Sequence, residues 1–588
     1  MKFGRDIADL DCVLAGVVAG GPLLAGLGFL CGLPVAGWMF PVVVAAAILW
    51  AAAGSWRTAV KAVLALSAAL AMTAFTYTYV QWDAVACHYP MSWALAHGWN
   101  PVYEHSPEAV ARYFGGGGVL LPHVAFDPRF VAVWSAMVMK CTGLFSAAAF
   151  PSYVLGFVLS RVSFRFARGE WQCGAFAAAL FSALVALPPV LVSQMFQGRL
   201  DYASYAASLL AVFGAVLFRR GARLADAVLF GLALAVAGQV KFSGLGFFMV
   251  VAVAALVLNW RSRAFRACVA GAAAVLLLSA ASPYVTSSVH YGSPFYPAHS
   301  FASSRPLVDL TADFAFNADA ARMGWFLRGV YAWVSPDLAI SLGRLVTGNP
   351  DFAPMMVTST GPDMDGFGPV YCVLFVLSVL LFCASRGGLA LGVAALVFLC
   401  SFVSPVKFVG YARYFPTMRV IPLLAVFSFL YAARARLRPV AELSRPAILG
   451  TMTAVGAFFL AVTGAAFDWQ LASEAQRQVR FGRFARHYPV VGAPLTPSSN
   501  SRQDVMGFTA GKRVEAAGMR IAADGKRERP CISAPPLFMP SARQATAEAF
   551  DAAWWELKPF PEFGLNLVDY HWGKGGWPSV LKQHKQQP

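Results

Sequence analysis

Residues 60–90 read VKAVLALSAALAMTAFTYTYVQWDAVACHYP. The stretch begins with an apolar run of about 20 residues, the length that crosses a bilayer as a helix. Asp83 comes directly after this run and opens a segment rich in aromatic residues. A carboxylate near the hydrocarbon boundary is costly, so it usually faces a cavity or a partner. The stretch therefore predicts a membrane helix whose end supports chemistry or transport at the membrane surface.

The whole chain has the composition of a polytopic membrane protein. Of its 588 residues, 58% are hydrophobic and only 13% are charged, and the mean hydropathy is +0.60. Soluble domains are only about 45–50% apolar. We therefore expect an all-α membrane bundle of about thirteen transmembrane helices. The predicted spans are 12–32, 34–53, 60–80, 130–160, 171–192, 202–218, 225–240, 243–259, 267–284, 367–383, 388–404, 417–432 and 446–466.

Basic residues cluster at the ends of alternate spans. By the positive-inside rule that side is cytoplasmic, so the N-terminus is predicted inside and the C-terminus outside. The clustered residues are Arg57, Lys61, Arg161, Arg165, Arg168, Arg219, Arg220, Arg223, Arg261, Arg263, Arg266, Arg386, Arg434, Arg436 and Arg438.

The net charge of +17 is then explained by topology. Anionic lipid headgroups suffice as partners for such a chain, and we expect no nucleic acid. The first span lacks a small-residue cleavage site and is followed at once by another span, so it is predicted to be a retained helix. We expect a multi-pass membrane protein.

Three predicted outer segments are long enough to hold structure: 81–129, 285–366 and 467–588. The chain divides into a membrane domain, 1–466, and a C-terminal extracytoplasmic segment, 467–588, whose fold the sequence leaves open. Within the first outer segment, residues 84–95 have the apolar spacing of a short helix. Of ten cysteines, only Cys87 and Cys531 fall in outer segments, and a disulfide between them is left open.

Polar residues recur at the outer ends of the predicted spans. Cations on this side run against the inward bias of positive charge, and an anion such as a lipid-linked phosphate would explain them. Each residue could also be an ordinary solvated loop charge, and Lys241 could reach up to the headgroups. The residues are Asp83, Gln194, Gln197, Arg199, Asp201, Gln239, Lys241, Lys407, Tyr411, Arg413 and Arg419.

Several of these fragments resemble one known family. Trp82-Asp83-Ala84-Val85-Ala86-Cys87-His88-Tyr89-Pro90 is similar to the first outer-loop signature of bacterial glycosyltransferases of the GT-C fold, the class that includes protein O-mannosyltransferases and the lipid A aminoarabinose transferase. Further fragments follow in the family's order: Gln197 to Asp201, Gln239-Val240-Lys241, Tyr291-Gly292-Ser293-Pro294-Phe295-Tyr296-Pro297, Gly366-Phe367-Gly368-Pro369 and Tyr411-Ala412-Arg413-Tyr414.

The resemblance covers about residues 60–432 and has departures. Cys87 stands where the family has Tyr, Tyr89 where it has Leu, and Ser293 where it has Asn. Two apolar spans also precede the one that normally comes first. Asp83 and His88 stay in register, so these departures bear on the substrate more than on the reaction.

The resemblance implies an inverting transfer of a sugar from a polyprenyl-phosphate donor to a hydroxyl acceptor on the outer face. Asp83 would be the base or would orient the acceptor, and His88 would hydrogen-bond near it. The implied substrate-binding residues are Asp201, Lys241, Tyr296, Lys407, Tyr411 and Arg413, with Lys241 and Arg413 at the lipid phosphate. The resemblance leaves open whether a divalent cation assists.

The residues by themselves keep other readings open. His97, His105 and His123 lack metal-ligand spacing, so we expect no zinc site. His88 could equally be a packed interfacial residue. The rival function is a multi-span transporter or a flippase of envelope polysaccharide precursors, which should show polar groups at mid-membrane and broken helices. The acceptor, which could be a glycan, a lipid or a protein, and the oligomeric state are left open.

Overall fold

The computed structural model of the protein describes residues 9–75, 87–114, 121–144, 147–188, 191, 195, 200–294, 296, 369–385, 388–400, 416–436, 490–491 and 520–521. Almost all of these residues are helical. The α-helices are α1 Leu10–Leu30, α2 Met39–Gly54, α3 Trp56–Phe75, α4 Tyr89–Ala96, α5 Pro107–Ala111, α6 Leu121–Phe126, α7 Phe130–Thr142, α8 Phe150–Trp171, α9 Ala175–Ala186, α10 Asp201–Gly221, α11 Leu224–Val240, α12 Phe242–Asn259, α13 Arg263–Ser279, α14 Thr286–Tyr291, α15 Pro369–Ser385, α16 Leu389–Cys400 and α17 Val420–Arg436.

Short elements complete the described part. Ala147–Ala149 and Pro416–Arg419 are 3-10 turns, and Ala281–Val285 is a π-helical turn between α13 and α14. Two short strands, β1 Val490–Val491 and β2 Arg520–Ile521, pair in parallel.

Among the described residues, five helices are long and apolar enough to cross a membrane, or six if the bent pair Arg263–Ser279 and Ala281–Tyr291 is one span. A helical membrane protein is thus confirmed, whereas the thirteen predicted spans are not. Helices α7, α9 and α16 have 13, 12 and 12 residues. At about 1.5 Å per residue, they are shorter than a hydrocarbon core of about 30 Å. Hydropathy had located apolar helices without fixing their lengths. The predicted span 446–466 lies outside the described residues.

The predicted span 130–160 is wrong in one respect, because it contains two helices. Helix α7 ends at Thr142, and the next residue, Gly143, adopts the left-handed conformation at φ 75°. Glycine takes this conformation without a Cβ penalty and commonly closes a helix there. The apolar run continues through the break into α8, so hydropathy alone could not show it.

Helices α10 and α11 form the centre of the bundle and pack against each other. Helix α10 is buried along nearly its whole length, with Tyr202 and Tyr205 among the largest buried side chains. Helix α1 packs against α2, α8, α11 and α13. It approaches α13 closely at Gly26, where a Cβ would lie 2.3 Å from the Leu278 carbonyl oxygen. This contact brings two backbones together where only glycine fits.

Several helices present apolar side chains to the outside. On α12, Met249, Val253 and Val257 are spaced four residues apart and are 56%, 58% and 68% exposed. Residues at this spacing share one helix face. An exposed apolar stripe of this kind is typical of a face that contacts lipid.

Buried ion pairs join three helices at one end of the bundle. Asp11, at the start of α1, accepts a hydrogen bond from Arg161 Nε on α8 at 2.6 Å. Arg165, one turn later, lies 3.3 Å from Asp11 and 3.0 Å from Asp226 at the start of α11. Arg161 and Arg165 are two of the basic residues that the charge pattern places on one side of the membrane domain.

Two further ion pairs lie between helix ends of the same side. Arg223 pairs with Asp9 at 2.9 Å, and Arg220 pairs with Glu170. Burial disfavours the ionised Asp9 carboxyl, but the Asp11 amide and the Arg165 and Arg223 charges outweigh it and lower the pKa of Asp9. The arginines of residues 161–168, on α8, and those of residues 219–223, where α10 ends and α11 begins, therefore lie at one end of the bundle. The opposite end, where α10 begins and α11 ends, carries the candidate site.

Candidate functional site

Asp201 begins α10 and is buried at this opposite end, with 4% of its surface exposed. A carboxylate in the first turn of a helix is stabilised by the unpaired backbone N–H groups and the positive end of the helix dipole. The sequence predicted that a middle helix starts here, and the helix start is confirmed.

Lys241 lies in the break between α11 and α12. Its backbone is extended, at φ −146° and ψ 158°, so it ends one helix and precedes the next. The Lys241 carbonyl accepts the Gly244 N–H at 2.9 Å. Gly244 is required at this position, because a Cβ there would lie 1.9 Å from the Ala237 carbonyl oxygen. The start of α12 thus packs closely against the end of α11, and this packing fixes the backbone from which the Lys241 side chain extends.

The Lys241 ammonium donates to the Asp201 carboxylate and forms a buried ion pair with it. The side chains are 11% and 5% exposed respectively. A buried ion pair compensates two desolvation costs, and removing either partner leaves the other charge uncompensated. The structure therefore brings together two of the residues that the sequence singled out as substrate-binding.

Tyr284 supports the helix break beside this pair. Its hydroxyl lies 2.7 Å from the Gly238 carbonyl oxygen and 3.3 Å from the Lys241 carbonyl oxygen. Its ring packs edge-on against Phe242, with 6.0 Å between the ring centroids. Tyr284 belongs to the π-helical turn Ala281–Val285, where the chain bends by 77° between α13 and the segment that follows it.

Described residues of the predicted first outer segment bind to the same π-helical turn. The Ser282 hydroxyl donates to the Pro101 carbonyl and accepts from Arg129 Nη1, both at 2.9 Å. Arg129 is 5% exposed and its guanidinium lies 4.9 Å from the centre of the Trp99 ring. The Asn100 side chain also donates to the Phe29 carbonyl at the end of α1. These contacts place Trp99, Asn100, Pro101 and Arg129 at the same end as Asp201 and Lys241.

Tyr296 packs in a cluster of rings at this end. It stacks on Tyr291 at 4.0 Å and meets Phe126 edge-on at 4.9 Å. His105 and His290 extend the cluster, with their rings stacked at 3.7 Å. Burial and the charge of His290 lower the pKa of His105 below its ordinary 6.5. Tyr296 is 5% exposed, so its ring packs in the aromatic cluster.

His88 precedes α4, where its carbonyl accepts the Ser92 hydroxyl at 2.7 Å. The short helix predicted over residues 84–95 is observed as α4, Tyr89–Ala96. Cys87 is buried beside it. The predicted site residues outside the described part are Asp83, Lys407, Tyr411 and Arg413, as is Cys531. The described turn Pro416–Arg419 begins three positions after Arg413 and packs against α10, the helix that begins at Asp201.

Comparison with protein families, curated proteins and solved structures finds no match. Chemical interpretation therefore starts from the side chains. Asp201 can accept hydrogen bonds through both carboxylate oxygens. One of them accepts the hydrogen bond that the Lys241 ammonium donates. Within the described ranges, no group of three or more His, Cys, Asp or Glu side chains could hold a metal ion. The pair can thus receive a hydroxyl at the carboxylate and a negatively charged group at the ammonium.

Sequence reasoning missed three residues at this end: Arg129, Ser282 and Tyr284. Arg129 had a detectable signal, because it is a cation on the predicted outer side immediately before an apolar run. Tyr284 and Ser282 had none, since tyrosine and serine are ordinary at the end of a membrane helix. Their roles depend on which carbonyl each hydroxyl reaches.

Proposed function

We propose that this protein is a membrane glycosyltransferase that moves a sugar from a polyprenyl-phosphate donor to a hydroxyl acceptor on the extracytoplasmic face. The observation that carries the proposal is the buried Asp201–Lys241 ion pair. It joins two fragments, Gln197 to Asp201 and Gln239-Val240-Lys241, that resemble consecutive elements of GT-C glycosyltransferases. The acceptor is a glycan, a lipid or a protein.

The roles follow from the chemistry of the transfer. The acceptor oxygen attacks the anomeric carbon, the bond from that carbon to the phosphate oxygen breaks, and the bonding electron pair stays on the phosphate. Asp83 takes the acceptor proton, with His88 hydrogen-bonding near it. Lys241, together with Lys407 and Arg413, stabilises the phosphate charge. Asp201, Tyr296 and Tyr411 hold substrate hydroxyls.

Asp201 reduces the net positive charge that Lys241 can present to the phosphate. A carboxylate beside the ammonium makes the pair neutral as a whole, and a lone carboxylate repels a phosphate. In this proposal Asp201 positions the ammonium and accepts a sugar hydroxyl, and Lys407 and Arg413 supply the excess positive charge. The protein lies in a bacterial plasma membrane with this end on the extracytoplasmic side.

The decisive experiment uses the purified full-length protein in proteoliposomes with a panel of labelled polyprenyl-phosphate sugars. We expect transfer from one donor by the wild type and none by Asp83→Asn. Asp226→Asn is the matched control, because it removes a buried carboxylate at the opposite end of the bundle. Transfer by Asp83→Asn at the wild-type rate would overturn the assignment of the base, and no transfer from any donor would contradict the proposed reaction.

A second candidate, a transporter or flippase of envelope polysaccharide precursors, is favoured by the 77° bend after α13. Broken helices are typical of transporter binding sites, which lie near the bilayer midplane. Here the bend follows 17 residues of α13, or about 25 Å of helix. It therefore comes near the far side of a core of about 30 Å, which favours the enzyme. Protein-dependent movement of a labelled lipid-linked glycan across liposomes, without transfer, would support the transporter instead.

A further inference from the structure

Tyr284 supplies a hydrogen bond to the backbone at the break between α11 and α12. The last carbonyls of a helix have no partner inside it, and the end of α11 is buried at Gly238, Gln239 and Val240. The Tyr284 hydroxyl is placed to donate to the Gly238 carbonyl at 2.7 Å, with the Lys241 carbonyl farther away at 3.3 Å. The Tyr284 hydrogen bond thus fixes the backbone at the end of α11, next to Lys241.

Tyr284 is itself held rigidly. Its side chain is 6% exposed and packs against Phe242, the first residue of α12. It therefore touches both sides of the break, the end of α11 through its hydroxyl and the start of α12 through its ring. A small displacement of Tyr284 would change the direction in which Lys241 leaves the backbone.

The turn that carries Tyr284 is tied to the first outer segment two residues earlier. Ser282 binds both the Pro101 carbonyl and the Arg129 guanidinium, and Thr286 Oγ1 lies 3.1 Å from the Ser282 hydroxyl. Arg129 also donates to the Ala125 carbonyl. Pro101 and Arg129 are thus linked, through the three consecutive residues Ser282, Pro283 and Tyr284, to the backbone beside Lys241.

We propose that Tyr284 is a positioning residue that fixes the α11–α12 break so that the Lys241 ammonium meets Asp201, and that Ser282 transmits the position of the first outer segment to this pair. The role of the pair in holding a donor phosphate rests on the proposed function. The placement of Lys241 by Tyr284 does not, because it concerns contacts within the protein itself.

Tyr284→Phe tests this role, because it removes the hydroxyl and keeps the ring against Phe242. The first readout is the rate at which an amine-reactive acetylating reagent modifies Lys241 in the folded protein, followed by mass spectrometry. Loss of one hydrogen bond should raise this rate about fivefold, equivalent to about 1 kcal/mol. Ser282→Ala should raise it less, since it loosens only the link to the outer segment.

Two reference variants calibrate the labelling. Asp201→Asn should accelerate acetylation of Lys241 at least as much as Tyr284→Phe, because it removes the ion pair directly. Tyr205→Phe is the matched control: its buried hydroxyl donates to the Val185 carbonyl at 2.8 Å, between α10 and α9 and not at the α11–α12 break. Its labelling rate should equal that of the wild type. Each variant is first checked for cooperative unfolding well above the labelling temperature, so that labelling reports local geometry in the folded protein.

The second readout is the Kd for polyprenyl phosphate without sugar. We expect Tyr284→Phe to raise it about fivefold and Tyr205→Phe to leave it unchanged. Labelling of Lys241 at the wild-type rate in Tyr284→Phe, with faster labelling in Asp201→Asn, would overturn the positioning role. Faster labelling in Tyr284→Phe without any binding of polyprenyl phosphate by the wild type would support that role and contradict the proposed function.

Discussion

Lys241 and Asp201 form a buried ion pair although 40 positions separate them along the chain. Two backbone features make the pair. Asp201 is the first residue of α10, and Lys241 is the extended residue between α11 and α12. Because α10 and α11 pack side by side, the start of one helix and the end of the next lie at the same end of the bundle.

Removal of one partner of this pair should destabilise the protein strongly. Asp201→Leu leaves the Lys241 ammonium buried without its carboxylate, which costs about 3–5 kcal/mol of unfolding free energy. The double variant Asp201→Leu, Lys241→Met removes both charges, so it should recover most of this loss. Thermal unfolding in one detergent measures all the variants, and losses that simply add in the double variant would refute the coupling.

Gly244 should tolerate no side chain. In Gly244→Ala the new Cβ would lie 1.9 Å from the Ala237 carbonyl oxygen, so α12 must move away from the end of α11. We expect a loss of about 1–3 kcal/mol, the usual cost of overpacking, together with faster acetylation of Lys241. Gly271→Ala is the matched control, because nothing lies within 4 Å of a Cβ at that helical position. Equal unfolding temperatures for the two variants would contradict the close contact.

Arg165 should contribute to stability at the opposite end of the bundle. It pairs with both Asp11 and Asp226. Arg165→Met removes the positive charge beside these two buried carboxylates and should lower the free energy of unfolding by about 3–5 kcal/mol. Arg168→Met is the control, because Arg168 donates to the Cys173 carbonyl and pairs with neither carboxylate. Polyprenyl-phosphate binding by the folded fraction should stay unchanged, since the site lies at the other end. Reduced binding by folded Arg165→Met would contradict this separation.

The sequence was informative where a single residue type determines the local structure. Hydropathy located the helices closely, as for the predicted span 225–240 and α11, Leu224–Val240. The charge pattern also grouped Arg161 and Arg223 on one side, and their ion pairs lie at one end of the bundle. Helix lengths were less predictable, because an apolar run does not show a glycine C-cap such as Gly143.

The site was predictable only in part. Asp201 and Lys241 were found because they lie at the predicted outer ends of apolar spans, where the positive charge of Lys241 runs against the inward bias. Their direct contact was not foreseen, since it depends on the packing of α10 against α11. Tyr284 and Ser282 were missed because their roles come from hydrogen bonds to carbonyls 46 and 181 positions away. No periodicity within one helix records contacts of that range.

The stacked His105 and His290 rings should make the end of the bundle that holds Asp201 and Lys241 sensitive to acid. The pKa of His105 is lowered by burial and by His290, so His105 takes up a proton on unfolding. Unfolding is then favoured as the pH falls below about 6.5, and stability rises with pH through that range. Lowering the pH from about 7.5 to about 5.5 should reduce the Tm of the wild type.

His105→Phe isolates this effect, because it keeps a ring against His290 and removes the titrating group. Its Tm should fall less than that of the wild type over the same pH range. His97→Phe is the control, since His97 is exposed and stacks on Trp93 at 3.8 Å, away from His290. It should keep the wild-type pH dependence.

Because His105 ties the first outer segment to α14, limited proteolysis within residues 99–114 should also accelerate at low pH in the wild type and not in His105→Phe. Equal acid sensitivity in the two proteins would show that another group titrates.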